Sequence, residues 1–353
     1  MSLRILHLPT SVAGLSLGLS RGERKIGLDS DVLVTENNWL NYPCDINLGL
    51  ENSRNRFEKL YKLIKCFLKI RGRYDIYHFN FGSSLLDFKH MGLDLLDLPF
   101  YGKSSKIFVT YDGSDARQKC RYHNSNCQRE NCYNGICNNQ DVELNKQKRI
   151  KKFSQYAQNV FFVNPDLLTF LPSNSTFMPY AISDWDFIEK HKFKKRNYVH
   201  IVHAPTNRIY KGSDYVLSAL NKLKCIYKNN VKISIVEHLE HSEALKIYED
   251  ADLIIDQLLI GWYGVFAVEA MKMGKPVMCF IREEDLERIP SNMSRDCLEA
   301  IINVNKDDIF EKLCTVVENK NILLEHSLNG YEYVEKYHNP VNVAKLVNEY
   351  YQS

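Results

Sequence analysis

The sequence of 353 residues has no apolar run near the roughly 18 residues that a membrane-crossing helix requires. Its most apolar stretch, 251–281, is interrupted by Asp252, Asp256, Glu269 and Lys272, which excludes a spanning segment there. The first residues, MSLRILHLPTSVAG, lack the apolar core and small-residue cleavage site of a secretory leader. Together these absences predict a cytoplasmic protein. A formal net charge of +3 gives no protein-wide field, so attraction to an acidic partner has to come from local clusters. No internal repeat or low-complexity tract is present, which excludes a solenoid or a disordered chain. The 10 cysteines include no CxxC pair. Without a leader, they point to thiols that stay free or bind metal rather than to a disulfide framework.

The composition that remains, 44% hydrophobic and 25% charged, is that of an ordinary globular protein. The chain is too long for one core, so it should form two domains, with a ligand site where they meet. In the first half, short apolar runs (RILHL at 4–8, DVLV at 31–34, DIYHFNFG at 75–82, KIFVTY at 106–111, NVFFV at 159–163) alternate with helical or loop stretches, the pattern of a parallel sheet. Between them, Phe57, Leu60, Tyr61, Ile64, Phe67 and Leu68 follow the three-and-four spacing of a helix with one buried face. The pattern loosens over 171–196, where Pro172 and Pro179 punctuate the chain. It then restarts with VHIVHA at 199–204, VKISIVE at 231–237, DLIIDQL at 252–258 and PVMCFI at 276–281, separated by helices near 213–227, 242–251 and 265–273. We therefore expect α/β architecture: two Rossmann-like doubly wound domains facing across a cleft, at 1–182 and 195–335. A final helix at 336–353 is expected to pack back on the first domain. Ligands of such sheets bind beyond the carboxyl ends of the strands, so the loops after strands should hold the chemistry.

Two such loops stand out. In HAPTNRIYKGSDYVLSAL (203–220) a strand ends and a basic loop leads into a helix, placing Arg208 and Lys211 where a diphosphate would approach the helix amino end. A solvated basic loop explains the same residues equally well. In DQLLIGWYGVFAVEAMKMGKPVMCFI (256–281), Gly261 and Gly264 allow close backbone approach, and a helix from Val265 offers amides to a phosphate. Glu269, four residues into that helix, can accept hydrogen bonds from two ribose hydroxyls. Taken alone it could equally be a half-exposed helix carboxylate. The triplets Asp29–Asp31, Asp184–Asp186 and Asp250–Asp252 resemble metal-binding DxD motifs. They fall before a strand, in the linker and before another strand, and read as structural.

KGSDYVLSAL and GWYGVFAVEAMKMGKPV, in that order, resemble the second domain of the retaining GT-B glycosyltransferases of family 4. DIYHFNFGSSLL, FVTYDGSDAR, VNPDLLTFLP with MPYAIS, and YVEKYHNPVNVAKLVNEYY extend the resemblance more weakly over most of the chain. The resemblance implies a hexosyltransferase-like enzyme that moves a sugar from a nucleotide-diphosphate sugar to a hydroxyl of a glycan or lipid-linked glycan, with retention, in surface polysaccharide or glycoconjugate synthesis. No metal cofactor is implied for catalysis, and no nucleic-acid partner. Glu269 matches the second glutamate of the family's pair and would hold the donor ribose; the first falls at Gly261. Lys211 matches the lysine on the donor phosphates, and Arg208 stands in for an arginine whose usual place is taken by Thr206. Gly14, in the loop after the first strand, and the backbone at Tyr263, Gly264, Val265 and Phe266 would approach the donor. Asp112 replaces a histidine of the active-site loop, so Asp112, Lys211 and Arg208 form the candidate catalytic set. The segment Asp112 to Asp115 equally reads as a turn after a strand.

Two features stand outside that scheme. Cys120, Cys127, Cys132 and Cys137, in a polar insert at 118–140, could hold a structural zinc ion tetrahedrally, remain free thiols, or form disulfides only on oxidation. Residues 54–73 carry eight cations against the single acid Glu58. That is a basic helix suited either to solvent or to the anionic inner face of a membrane. Competing readings of the whole chain are a nucleotide-sugar epimerase on the same fold, a catalytically silent sugar-nucleotide binder, and a nucleic-acid-binding protein.

Overall fold

A computed structural model describes residues 2–36, 42–102, 105–118, 140–194, 196–239 and 241–353. The chain divides into two compact units, one running to Ser183 and including Asn339–Ser353, the other Asp184–His338.

In the first unit, β1 (Arg4–Leu8), β2 (Asp29–Val34), β3 (Ile46–Asn47), β4 (Ile76–Asn80), β5 (Lys106–Tyr111), β6 (Asn159–Phe162) and β7 (Thr176–Phe177) form a sheet in the order β3-β2-β1-β4-β5-β6-β7. Every pairing is parallel. Burial does not alternate along a central strand because both sheet faces are covered, as in β4, where all five residues, His78 and Asn80 included, are buried. The short strands β3 and β7 escape pattern reading, since two residues carry no period. Asp29 and Asp31 lie inside β2 rather than before it.

Helices α1 (Leu15–Lys25), α2 (Arg56–Ile70) and α3 (Gln140–Tyr156) belong to this unit. Asn55 caps α2 by accepting from the Glu58 N–H at 2.9 Å, and the Glu58 carboxylate accepts from the N–H of Arg54, one residue before the cap, at 2.8 Å. Its buried face corrects the sequence expectation. Leu63, Cys66, Phe67 and Ile70 face inward, with Phe67 edge-on to Tyr101 at 5.5 Å, while Phe57, Leu60, Tyr61, Ile64 and Leu68 are exposed. Both sets satisfy helical spacing, so periodicity alone could not say which stripe the domain covers.

The second unit holds β8 (Val199–His203), β9 (Val231–Ile235), β10 (Leu253–Ile255), β11 (Val277–Cys279) and β12 (Ile301–Asn303), with α4 (Ser213–Tyr227), α5 (His241–Glu249), α6 (Val265–Lys272), α7 (Ser291–Ala300), α8 (Ile309–Glu318) and α9 (Asn321–Tyr337). The sheet is again parallel, in the order β12-β11-β10-β8-β9. Val199, Ile201, Leu253 and Ile255 pack on Val216, Leu220 and Leu223 of α4 and Leu313 of α8 as its core.

The chain then returns to the first unit through α10 (Pro340–Gln352). It lies against α1 at Gly22, where a Cβ would sit 2.0 Å from the Pro340 carbonyl oxygen, so only glycine permits that approach. Tyr351 at its end donates to Glu23 Oε1 at 3.0 Å and contacts His78 Nδ1 at 2.6 Å. Glu23 also meets His7 Nε2 at 2.8 Å and accepts from Ser30 at 2.6 Å. This fully buried polar network ties α10 to α1, β1, β2 and β4, and its several partners satisfy groups that burial would otherwise penalise, with His7 Nδ1 the exception.

Candidate functional site

Strand β8 opens the second sheet and has β9 on one side and β10 on the other. The chain order reverses there, the place at which a sheet of this kind forms a crevice at the carboxyl ends of its strands. The two loops singled out in the sequence are those that line it.

After β8, Asn207 accepts from the N–H groups of Ile209 and Tyr210 at 3.0 and 3.2 Å and starts a helical turn, Arg208–Lys211. Gly212 ends it at φ 69°, and α4 begins. The Lys211 carbonyl accepts from the Leu258 N–H at 3.1 Å, tying the two loops together. The Lys211 ammonium is ion-paired with Asp256, whose side chain is wholly inaccessible. Asp256 also accepts from the Gly264 N–H at 2.7 Å. One carboxylate at the end of β10 therefore fixes both the cation and the amino end of α6. In the sequence, Asp256 reads only as an interruption of an apolar run. A charged residue closing the buried strand of DLIID was the available signal.

The Gly264 amide is thus engaged from within the protein. The amides open to a ligand are those next along the first turn of α6, at Val265 and Phe266, which helix geometry leaves without an intrahelical acceptor. The Tyr263 side chain is committed within the unit: its ring is buried against Trp262, and its hydroxyl meets Tyr333 at 2.6 Å and His338 Nε2 at 2.8 Å. Glu269 is 5% exposed, not half-exposed. It lies close enough to Tyr248, together with Asp256, to raise the phenol, although burial is the larger cause. Tyr248 packs on Phe266 at 4.6 Å.

Arg208 is placed differently from Lys211. It is half-exposed and makes a two-pronged pair with Glu237, beyond β9, at 2.7 and 2.5 Å. Gly261 has φ 86°, and a Cβ there would stand 2.9 Å from Arg282 Cβ. This position, where the resembled family has its first glutamate, has neither the backbone conformation nor the space for a side chain.

In the first unit the order reverses at β1, between β2 and β4. The loop after β1 holds Gly14 at φ 70°, at the start of α1. Beyond β5, the Asp115 carboxylate accepts from the Asp112 N–H at 3.1 Å and the Gly113 N–H at 2.7 Å, so the turn reading of this segment holds. Arg117 pairs two-pronged with Asp166 at 2.5 and 2.8 Å. Asp112 is held well above the usual carboxylate range, by burial first and then by the charge of Asp115. Burial raises Asp115 too, against the pull of its backbone donors. Cys120, Cys127, Cys132 and Cys137 lie outside the described residues.

No family model matches the sequence, and no curated protein does. Solved structures do resemble it. Sucrose-phosphate synthase from Thermosynechococcus elongatus has a TM-score of 0.62 at 14% identity, over 100% of this chain and 98% of its own. An alpha-glucosyltransferase in complex with UDP and a 13-mer DNA has a TM-score of 0.60 at 12% identity, over 100% of both chains. UDP-GlcNAc 2-epimerase from Methanocaldococcus jannaschii has a TM-score of 0.52 at 14% identity, over 100% of both chains. At such identities the likeness is one of fold: two doubly wound, parallel-sheet α/β units of the GT-B type.

Proposed function

We propose that the chain is a glycosyltransferase that moves a sugar from a nucleotide-diphosphate sugar to a hydroxyl of a glycan or lipid-linked glycan, with retention, in surface polysaccharide or glycoconjugate synthesis. The observation that carries this reading is the convergence of Lys211, the first turn of α6 and the buried Glu269 beyond β8 and β10. A cation and a helix amino end suit a diphosphate, and a carboxylate inside the same helix suits a ribose. Uridine is the first base to try, because the alpha-glucosyltransferase of similar fold was solved with UDP.

In this scheme Lys211 gives one of its three N–H donors to Asp256 and keeps the others for the phosphates. As the bond to the sugar breaks, charge grows on the departing diphosphate. Lys211 and the α6 dipole lie ready to stabilise it, without a metal ion. Arg208 can join them only by leaving Glu237. Asp112, raised above the usual carboxylate range by burial and by the charge of Asp115, can hydrogen-bond an acceptor hydroxyl when protonated and accept its proton when ionised. The Gly261 backbone, in place of a carboxylate, leaves the reacting sugar without the family's acidic contact there.

The similarity in fold to a UDP-GlcNAc 2-epimerase favours epimerisation as a second reading. Incubation with a panel of UDP-sugars, with and without glycan acceptors, separates the two. Transfer predicts UDP release that depends on acceptor. An isomerised sugar nucleotide without acceptor would overturn it.

A further inference from the structure

The outward stripe of α2 has no counterpart in the donor-site scheme. Phe57 is 82% exposed, Tyr61 63%, Ile64 42% and Leu68 64%. Their spacing of four, three and four residues sets them in one line along the helix. The helix cannot turn this stripe inward, because its opposite face is already fixed by Leu63, Cys66, Phe67 and Ile70. Four aligned apolar side chains on one helix differ from the scattered exposed hydrophobics of an ordinary surface.

The surroundings of the stripe are cationic. Arg54, Arg56, Lys65, Lys69, Arg71 and Arg73 are all exposed. Glu58, the sole acid between them, is engaged by the Arg54 N–H and lies 3.4 Å from Lys62. Lys65 Nζ stands 5.7 Å from the Tyr61 ring, at the border of the apolar line. Long basic side chains beside apolar ones can lie along a membrane with their stems in the interface and their charges at headgroup level.

We propose that α2 is a preformed membrane-docking surface: Phe57, Tyr61, Ile64 and Leu68 enter the interfacial layer of an anionic bilayer, and the flanking cations meet its phosphates. Charge complementarity selects lipid over other occupants, since six exposed cations around an apolar line match a surface that is at once acidic and apolar. The inference is independent of the donor-site reading, because α2 belongs to the other unit.

The test is co-sedimentation of the full chain with vesicles of phosphatidylcholine alone and of equimolar phosphatidylcholine and phosphatidylglycerol, at low and high salt. Binding to the anionic vesicles alone, weakened by salt, is expected. Lys65→Ala with Lys69→Ala should weaken it on the order of 25-fold, from about fivefold per cation. Phe57→Ser with Leu68→Ser should abolish the binding that survives high salt; both pairs are exposed, and circular dichroism should match wild type. Absence of binding to anionic vesicles at low salt overturns the proposal. So does unchanged binding by either double variant, or self-association that Phe57→Ser with Leu68→Ser removes, which would assign the stripe to a second copy.

Discussion

Neutralising Asp256 tests how the candidate phosphate-binding cation is held. Its side chain is fully inaccessible and Lys211 is 13% exposed, so solvent screens the pair little, and removing one partner leaves the other charge buried. Such breakage costs about 3–5 kcal/mol. Asp256→Asn keeps an oxygen for the Gly264 N–H and should fall near the lower end, about 3 kcal/mol. Asp256→Ala also orphans that amide and should cost about 1–3 kcal/mol more. Lys211→Met should cost about 3 kcal/mol by stranding the carboxylate. The double variant Asp256→Asn with Lys211→Met leaves no buried charge, so it should be less destabilised than the sum of the singles by about 2–3 kcal/mol. Urea unfolding followed by tryptophan fluorescence measures this, because Trp262 is 1% exposed and two residues from Gly264. Single effects that add to within about 0.5 kcal/mol would refute the coupling.

Gly261→Ala should destabilise the second unit by about 2–4 kcal/mol, from left-handed backbone strain and the Arg282 contact. Urea unfolding checks it, and wild-type stability would show that the position accepts a side chain. The raised Asp112 implies a second effect. A carboxyl whose folded value lies above its unfolded one binds more protons when folded, so its contribution is fully present below about pH 3.9 and is lost as pH rises through the folded value. Asp112→Asn should therefore flatten the fall in stability over that window and leave the protein more stable than wild type at neutral pH. Parallel pH profiles would contradict the reading.

The sheets were legible because their strands are buried on both faces and so appear as near-continuous apolar runs between helical stretches. The positions of the two loops after β8 and β10 were legible because each follows such a strand and carries the glycines that punctuate it. Asp256 was not, because its role depends on Lys211, 45 residues away in sequence, and no local pattern encodes that pairing. Arg208, the stand-in for the arginine whose place Thr206 takes, is directed by one helical turn to Glu237, a pairing no local pattern encodes. Helix α2 shows the same limit from the apolar side: its two stripes have the same period, and only the packing of Phe67 on Tyr101 chooses between them.

The central claim is that Glu269 and the first turn of α6 form a nucleotide-diphosphate site. Calorimetric titration of UDP into wild type and Glu269→Ala tests it most directly. The account predicts saturable binding to wild type, and a loss of about 10- to 150-fold in Glu269→Ala from about 1.5–3 kcal/mol for hydrogen bonds to a carboxylate, with circular dichroism unchanged. UDP bound equally well by both proteins would contradict it.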